Sequence, residues 1–149
     1  NDLSAICADG SIREEDICAL VSTPEIHHLV SRISGRLRTG LSAVDALKAL
    51  FPCGSVTGAP KVEAMRTIAE IEGRGRGPYC GAFGYFDVRG GADFSVAIRI
   101  LIVESRDGRT KVTAPVGGGV TLRSDPEAEY LETLLKAQAS LAALETKFP

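Results

Sequence analysis

The sequence predicts an α+β fold, on three observations. Apolar residues in the first half recur at spacings of three and four, as on one face of a helix. The middle carries short β-branched and aromatic runs joined by glycine turns, which read as antiparallel strands. A long helical segment with a clear start then closes the chain. Helices, strands and helix are segregated rather than alternating, which separates α+β from α/β.

Residues 1–15 are polar and irregular, with a turn at Asp9-Gly10, and residues 17–21 suit a short strand. Pro24 opens residues 25–38, predicted as an amphipathic helix through Ile26, Leu29, Val30, Ile33 and Leu37, ending near Gly40. Ser42, with Asp45 three residues on, caps a second helix carrying Val44, Leu47 and Leu50. It stops at Phe51-Pro52, because a residue before proline is pushed out of helical geometry. A glycine-rich loop at 53–58 leads to Pro60 and a third helix through Val62, Met65, Ile68, Ala69 and Ile71.

The period then changes. Residues 73–78 form a glycine- and arginine-rich loop, and 79–88 a strand broken by Gly81 and Gly84. Gly90-Gly91 is a turn, and 94–103 reads as one strand. Asp107-Gly108 is a strong hairpin signal returning through 111–116, after which comes Gly117-Gly118-Gly119. Asp125-Pro126, cap and first-turn proline, opens a helix to about Leu144.

The composition is that of an ordinary globular protein: 149 residues, 44% hydrophobic and 24% charged, enough apolar material for a core. A net charge of −2 gives no electrostatic reason to expect nucleic acid or an anionic membrane as partner. Basic residues cluster at 32–38 and at Arg74-Gly75-Arg76, read here as solvated faces and loops. No apolar run reaches the ~18 residues of a membrane span, and no secretory leader is visible. Cys7, Cys18, Cys53 and Cys80 form no C-x-x-C pair, so reduced thiols in a cytoplasmic protein are expected rather than zinc or disulfides. The chain opens on Asn1 rather than Met and reads like the middle of a protein, so a processed or excised piece is expected.

Five constellations could carry chemistry. Glu129, Glu132 and Lys136 follow one another at three and four residues along one stripe of the last helix, opposite Leu131, Leu134, Leu135 and Ala142. Two carboxylates one turn apart can hold Mg²⁺. The plainer reading is a solvated face with a Glu–Lys pair. The run Gly117-Gly118-Gly119 could turn backbone N–H groups toward an anion, or be a flexible turn. Ser55 and Thr57 precede a helix N-terminus, where hydroxyls and N–H groups can meet an oxygen-rich ligand, or Thr57 simply caps. Arg99, on an apolar strand and sharing a face with Ala97 and Leu101, needs a partner, either a ligand carboxylate or a structural ion pair. His27 and His28 sit side by side on the first predicted helix, and satisfied structural histidines are the usual outcome. No Ser-His-Asp or Cys-His arrangement is legible.

Together these segments resemble the chorismate-utilising enzymes. The motifs are Asn-Asp-Leu at 1–3, His-Leu-Val-Ser-Arg at 28–32 and Gly-Ser-Val-Thr-Gly-Ala-Pro-Lys at 54–61. They continue with Tyr-Cys-Gly-Ala-Phe-Gly-Tyr at 79–85, Asp-Phe-Ser-Val-Ala-Ile-Arg at 93–99, Gly-Gly-Gly-Val at 117–120 and Ser-Asp-Pro-Glu-Ala-Glu-Tyr-Leu-Glu-Thr at 124–133. Seven motifs in order cover nearly the whole chain. The resemblance implies antiparallel sheets packed face to face with helices outside, residues 1–149 being the C-terminal part of one chorismate-binding domain. It makes Glu129 and Glu132 Mg²⁺-associated carboxylates bridging to the ring carboxylate of chorismate, with Lys136 near that carboxylate. Tyr79 and Arg99 would hold the enolpyruvyl carboxylate, helped by the N–H groups of Gly117 and Gly119. His28 and Ser55 match the polar pair near the ring substituent that is replaced.

Within the family these strings look more like aminodeoxychorismate synthase, which feeds folate synthesis, than anthranilate synthase, which feeds tryptophan synthesis. The implied chemistry is replacement of the C4 hydroxyl of chorismate by ammonia from a glutamine amidotransferase partner. Cys53, where glycine is common, and Pro115-Val116, where a small residue is usual, depart from the pattern. Further active-site segments are implied upstream of Asn1. These residues alone are therefore expected to be inactive and to expose sheet edges and apolar faces.

Overall fold

The computed structural model describes residues 1–22 and 27–145, which fall into two compact units. The first comprises Asn1–Gly54 with Phe86–Ala92; the second comprises Ser55–Tyr85 and the described residues from Asp93 on. The α+β expectation holds: helices accompany three separate antiparallel ribbons of two strands each.

In the first unit, β1 (Arg13–Ser22) pairs antiparallel with β2 (His27–Ser34), with Arg13 opposite Ser34 and Ser22 opposite His27 and the register shifting twice between Glu14 and Ala19. Cys18 lies in an irregularity of β1 with a left-handed φ of 50°, and its N–H goes to Ser31 Oγ at 3.1 Å. The predicted helix over 25–38 is therefore corrected to a strand, with Pro24, Glu25 and Ile26 outside the described residues. Leu29 and Val30 are adjacent and so lie on opposite faces of the ribbon. With apolar residues on both faces, β2 lacks a period-two signal, and cross-strand pairing overrides the helical spacing.

Ile6 and Cys7 are the buried apolar residues of this unit among those described. Around them Ala8 N–H donates to Arg36 O and Arg38 N–H to Ile6 O, while the Arg38 guanidinium donates to the carbonyls of Ser4, Ala5 and Cys7 at 3.1–3.2 Å. Gly35 is required here: a Cβ would sit 2.6 Å from Cys7 Sγ. Helix α1 (Ala43–Leu50) starts on the predicted capping box, with Ser42 N–H donating to Asp45 Oδ2 at 2.8 Å and Asp45 N–H to Ser42 Oγ at 3.3 Å.

The second unit begins with a four-residue helical turn, α2 (Gly54–Thr57 in full), where a loop was expected. Helix α3 (Lys61–Glu72) follows, with Pro60 rather than Thr57 at its N-cap and Gly73 ending it at φ 60°. A tight turn over 76–81 leads into β3 (Ala82–Phe86), which pairs with β4 (Ala92–Val96). Gly84 permits this pairing, since a Cβ there would lie 2.0 Å from Asp93 O.

The single strand expected over 94–103 is two. β4 ends at Val96, Ile98 N–H turns back to Val96 O, and Arg99 takes a left-handed φ of 55° before β5 (Ile102–Arg106). Arg99 therefore does not share a strand face with Ala97 and Leu101. β5 pairs with β6 (Arg109–Thr113) through Asp107 and Gly108, at φ 51° and 71°. Two successive left-handed residues make the hairpin turn that the Asp-Gly pair predicted. Helix α4 (Pro126–Glu145) closes the described chain, capped as expected by Asp125, whose Oδ1 accepts from Ala128 N–H at 2.9 Å.

Most large apolar side chains stay at the surface, among them Leu20 and Leu29 on the first ribbon, Phe83 on β3 and Leu131, Leu134 and Leu135 on α4. In the second unit Cys80 is the buried apolar residue among those described. No helix of the described residues is long and apolar enough to cross a membrane.

Candidate active site

The α4 stripe is where the spacing put it, and the structure adds what lies against it. Lys136 pairs with Glu132 one turn away and donates from Nζ to Gly117 O at 3.2 Å. That lysine hydrogen bond, then its charge, holds the Glu132 carboxyl below the usual carboxylate range, and Arg99 acts in the same direction. Glu129 Oε1 accepts from Ser124 Oγ at 2.6 Å. Its other oxygen faces the glycine run, since a Cβ on Gly118 would lie 3.1 Å from Oε2. The same Cβ would be 3.8 Å from Thr133 Oγ1 and 3.9 Å from Lys136 Nζ. Glycine leaves a space bounded by both partners, opening into a cavity of about 300 Å³ lined by Gly118, Val120, Ser124, Glu129, Tyr130 and Thr133.

Tyr79 lies by the neighbouring glycine: a Cβ on Gly117 would lie 3.0 Å from its Oη. Burial, then Cys80 beside it, pushes the Tyr79 phenol up, so the O–H stays protonated at neutral pH and can donate to a carboxylate. The second unit thus gathers Tyr79, Gly117, Gly118, Glu129, Glu132 and Lys136, with Arg99 within electrostatic range of Glu132. A Cβ on Gly119 would meet nothing within 4 Å. Ser55 sits in α2, next to Val56, whose carbonyl accepts from Arg76 Nη1 at 3.2 Å. His28 belongs to the first unit, on β2 opposite Val21.

Two residues were missed. Arg76, read as part of a solvated basic loop, grips both oxygens of Glu72 at 2.7–3.2 Å and leaves only 25% of its side chain exposed. The four-residue Glu72–Arg76 spacing was visible, but Arg76 lies beyond the glycine that ends α3, where helical spacing no longer predicts a pair. Ser124 stood inside a quoted motif, but only the fold shows its hydroxyl on Glu129.

The donor set fits Mg²⁺. The described residues contain no cluster of three or more His, Cys, Asp or Glu able to enclose a metal. Mg²⁺ characteristically takes one or two carboxylates and fills its shell with water and substrate oxygens; Glu129 lines the cavity, and Glu132, one turn on, is paired with Lys136.

The chain matches the family model described as chorismate binding enzyme over residues 1–142. It is 41% identical to anthranilate synthase component 1 of Synechocystis sp., over 97% of this chain and 28% of the relative. The corresponding protein of Mycobacterium bovis is 44% identical, again over 97% of this chain, and 27% of it is covered. The crystal structure of anthranilate synthase component I from Streptococcus pneumoniae superposes with a TM-score of 0.74 at 36% identity, covering 94% of this chain and 31% of that one. A putative 2,3-dihydroxybenzoate-specific isochorismate synthase from Bacillus anthracis gives 0.78 at 28%, covering 98% and 38%. The chain spans under a third of the length of the two curated relatives named here. It belongs to the chorismate-binding enzyme family.

Proposed function

We propose that this chain carries the substrate-binding residues of an anthranilate synthase component I, a cytoplasmic enzyme converting chorismate and ammonia to anthranilate, pyruvate and water. The observation that carries the reading is a glycine run with a protonated phenol at Gly117 and a carboxylate–lysine stripe at Gly117 and Gly118. Chorismate is a dianion, with one carboxylate on the ring and one on the enolpyruvyl arm. A site for it needs two anion-binding poles, and the phenol and the lysine of the stripe, both at the glycine run, are the groups for them. Relatives 41 and 44% identical over 97% of the chain are named for this activity, which favours it over the aminodeoxychorismate synthesis expected from the motifs.

Tyr79 O–H and the Arg99 guanidinium bind the enolpyruvyl carboxylate, with the N–H groups of Gly117 and Gly119 completing that pole. Lys136 faces the ring carboxylate. Glu129 and Glu132 hold Mg²⁺, which when bound supplies positive charge to that carboxylate. Held at both ends, the ring presents its face in one orientation, a contribution worth several powers of ten in rate. In the reaction a ring C–N bond forms and the ring hydroxyl leaves as water. The enolpyruvyl ether bond then breaks and a ring proton is lost, so the ring becomes aromatic. Ser55 is proposed beside the departing hydroxyl. The role of His28 rests on the family resemblance alone, and a His28→Asn variant tests it.

The test is product analysis of the protein as the cell makes it, given chorismate, Mg²⁺ and ammonium, then glutamine with a glutamine amidotransferase partner. Anthranilate and pyruvate in equal amounts support the reading. Aminodeoxychorismate without pyruvate returns the function to the first expectation, and isochorismate alone refutes amination.

A further inference from the structure

The geometry points to Arg76 as a positioning residue that joins the Ser55 turn to Tyr79, and so sets chorismate affinity without touching chorismate. This inference rests on the binding role proposed above for Tyr79. Four contacts converge on one guanidinium. Nε and Nη2 grip the Glu72 carboxylate at the end of α3. Nη1 donates to Val56 O, the residue after Ser55, at 3.2 Å, and to Cys80 Sγ at 3.6 Å. The guanidinium carbon stands 6.0 Å from the centre of the Tyr79 ring, at the outer limit of a cation–π contact. The Arg76 carbonyl also accepts Tyr79 N–H at 3.2 Å.

The turn that carries Tyr79 needs holding. Cys80 is buried and sits at a left-handed φ of 62°, a conformation that a residue with a Cβ keeps only when its surroundings fix it. The Cys80 N–H goes to Ala97 O at 2.9 Å, and Arg76 fixes the thiol end. Glu72 in turn anchors the arginine fork to a helix. Lysine keeps the charge but lacks the planar fork, so it cannot serve carboxylate, carbonyl and thiol together. Direct substrate contact is not needed for the effect, because Arg76 fixes a phenol whose Oη would lie only 3.0 Å from a Cβ added at Gly117.

The experiment is steady-state kinetics on the enzyme as the cell makes it, with Arg76→Gln, Arg76→Lys, Tyr79→Phe and the Arg76→Gln/Tyr79→Phe double variant. Arg76→Gln is expected to raise KM for chorismate about tenfold with kcat within about twofold, and Arg76→Lys to recover only part of that affinity. If Arg76 acts through Tyr79, the double variant is little worse than Tyr79→Phe alone. A KM that stays at the wild-type value, or effects that multiply independently, overturns the inference. If Arg76→Gln does not fold, Arg76→Lys combined with Tyr79→Phe makes the same comparison. Wild-type protein that does not convert chorismate refutes the proposed function instead. Wild-type turnover with a damaged Tyr79→Phe and unaffected Arg76 variants refutes the positioning role alone.

Discussion

Adding one methyl group at Gly118 tests how closely the glycine run fits the carboxylate stripe. In Gly118→Ala the new carbon would lie 3.1 Å from Glu129 Oε2, some tenths of an ångström inside ordinary contact, while Thr133 Oγ1 and Lys136 Nζ at 3.8 and 3.9 Å are not crowded. The carboxylate is the far end of a side chain, so it can swing away, and the cost to folding is about 1 kcal/mol. The cost to function is larger. Glu129 is anchored by Ser124 on Oε1, so moving Oε2 turns the carboxylate away from the cavity. A misplacement of about 1 Å costs roughly a hundredfold in rate, so a shift of about a third of an ångström is expected to lower kcat/KM about fivefold. Weaker Mg²⁺ binding, of about the same size, accompanies it. Gly75→Ala is the control, because a Cβ there meets nothing within 4 Å. The assays are calorimetric Tm, Mg²⁺ titration and steady-state kinetics. Gly118→Ala with unchanged Mg²⁺ affinity and unchanged kcat/KM would refute the packing of the glycine run on Glu129.

Other consequences follow from the same geometry. Gly84→Ala places a carbon 2.0 Å from a backbone oxygen, which only a shift of β3 against β4 relieves; a loss of roughly 3 kcal/mol or more is expected by urea unfolding. The ion pair with Arg76 holds the Glu72 carboxyl below its ordinary 4.5, so this pair stabilises the fold above that pH. The contribution disappears as pH falls through the lower folded value. Glu72→Gln should therefore flatten the acid limb of Tm against pH, and an unchanged limb would count against the pair. Ser124→Ala frees Glu129 Oε1 and is expected to weaken Mg²⁺ binding about tenfold with little change in Tm. Because the Tyr79 phenol is pushed up, Tyr79→Phe should remove phenolate absorbance that develops above pH 10.

How far the fold could be read from the sequence depended on whether a local signal fixed each element. Ser42 with Asp45, Asp125 with Pro126 and Asp107 with Gly108 each act within a few residues, and the structure keeps all three. β2 was misread because strand pairing decides it: Leu29 and Val30 face opposite ways and the helical and strand patterns coincide. The break at Arg99 was invisible, since nothing in the sequence announces a left-handed arginine. In the site, the Glu129, Glu132 and Lys136 stripe was legible as local spacing, but its roles came from resemblance. The approach of Tyr79 to Gly117, the Ser124 hydroxyl on Glu129 and the Arg76 fork join residues that only folding brings together.

The central claim is that the glycine run and the α4 carboxylates hold chorismate through Mg²⁺. The most direct measurement is isothermal titration of chorismate into the enzyme as the cell makes it, without an ammonia source, with and without Mg²⁺, for wild type and Glu129→Gln. The account predicts binding that weakens at least about tenfold when Mg²⁺ is removed, and a Glu129→Gln enzyme that binds weakly under both conditions. Chorismate binding that ignores both Mg²⁺ and the loss of the Glu129 charge would contradict it.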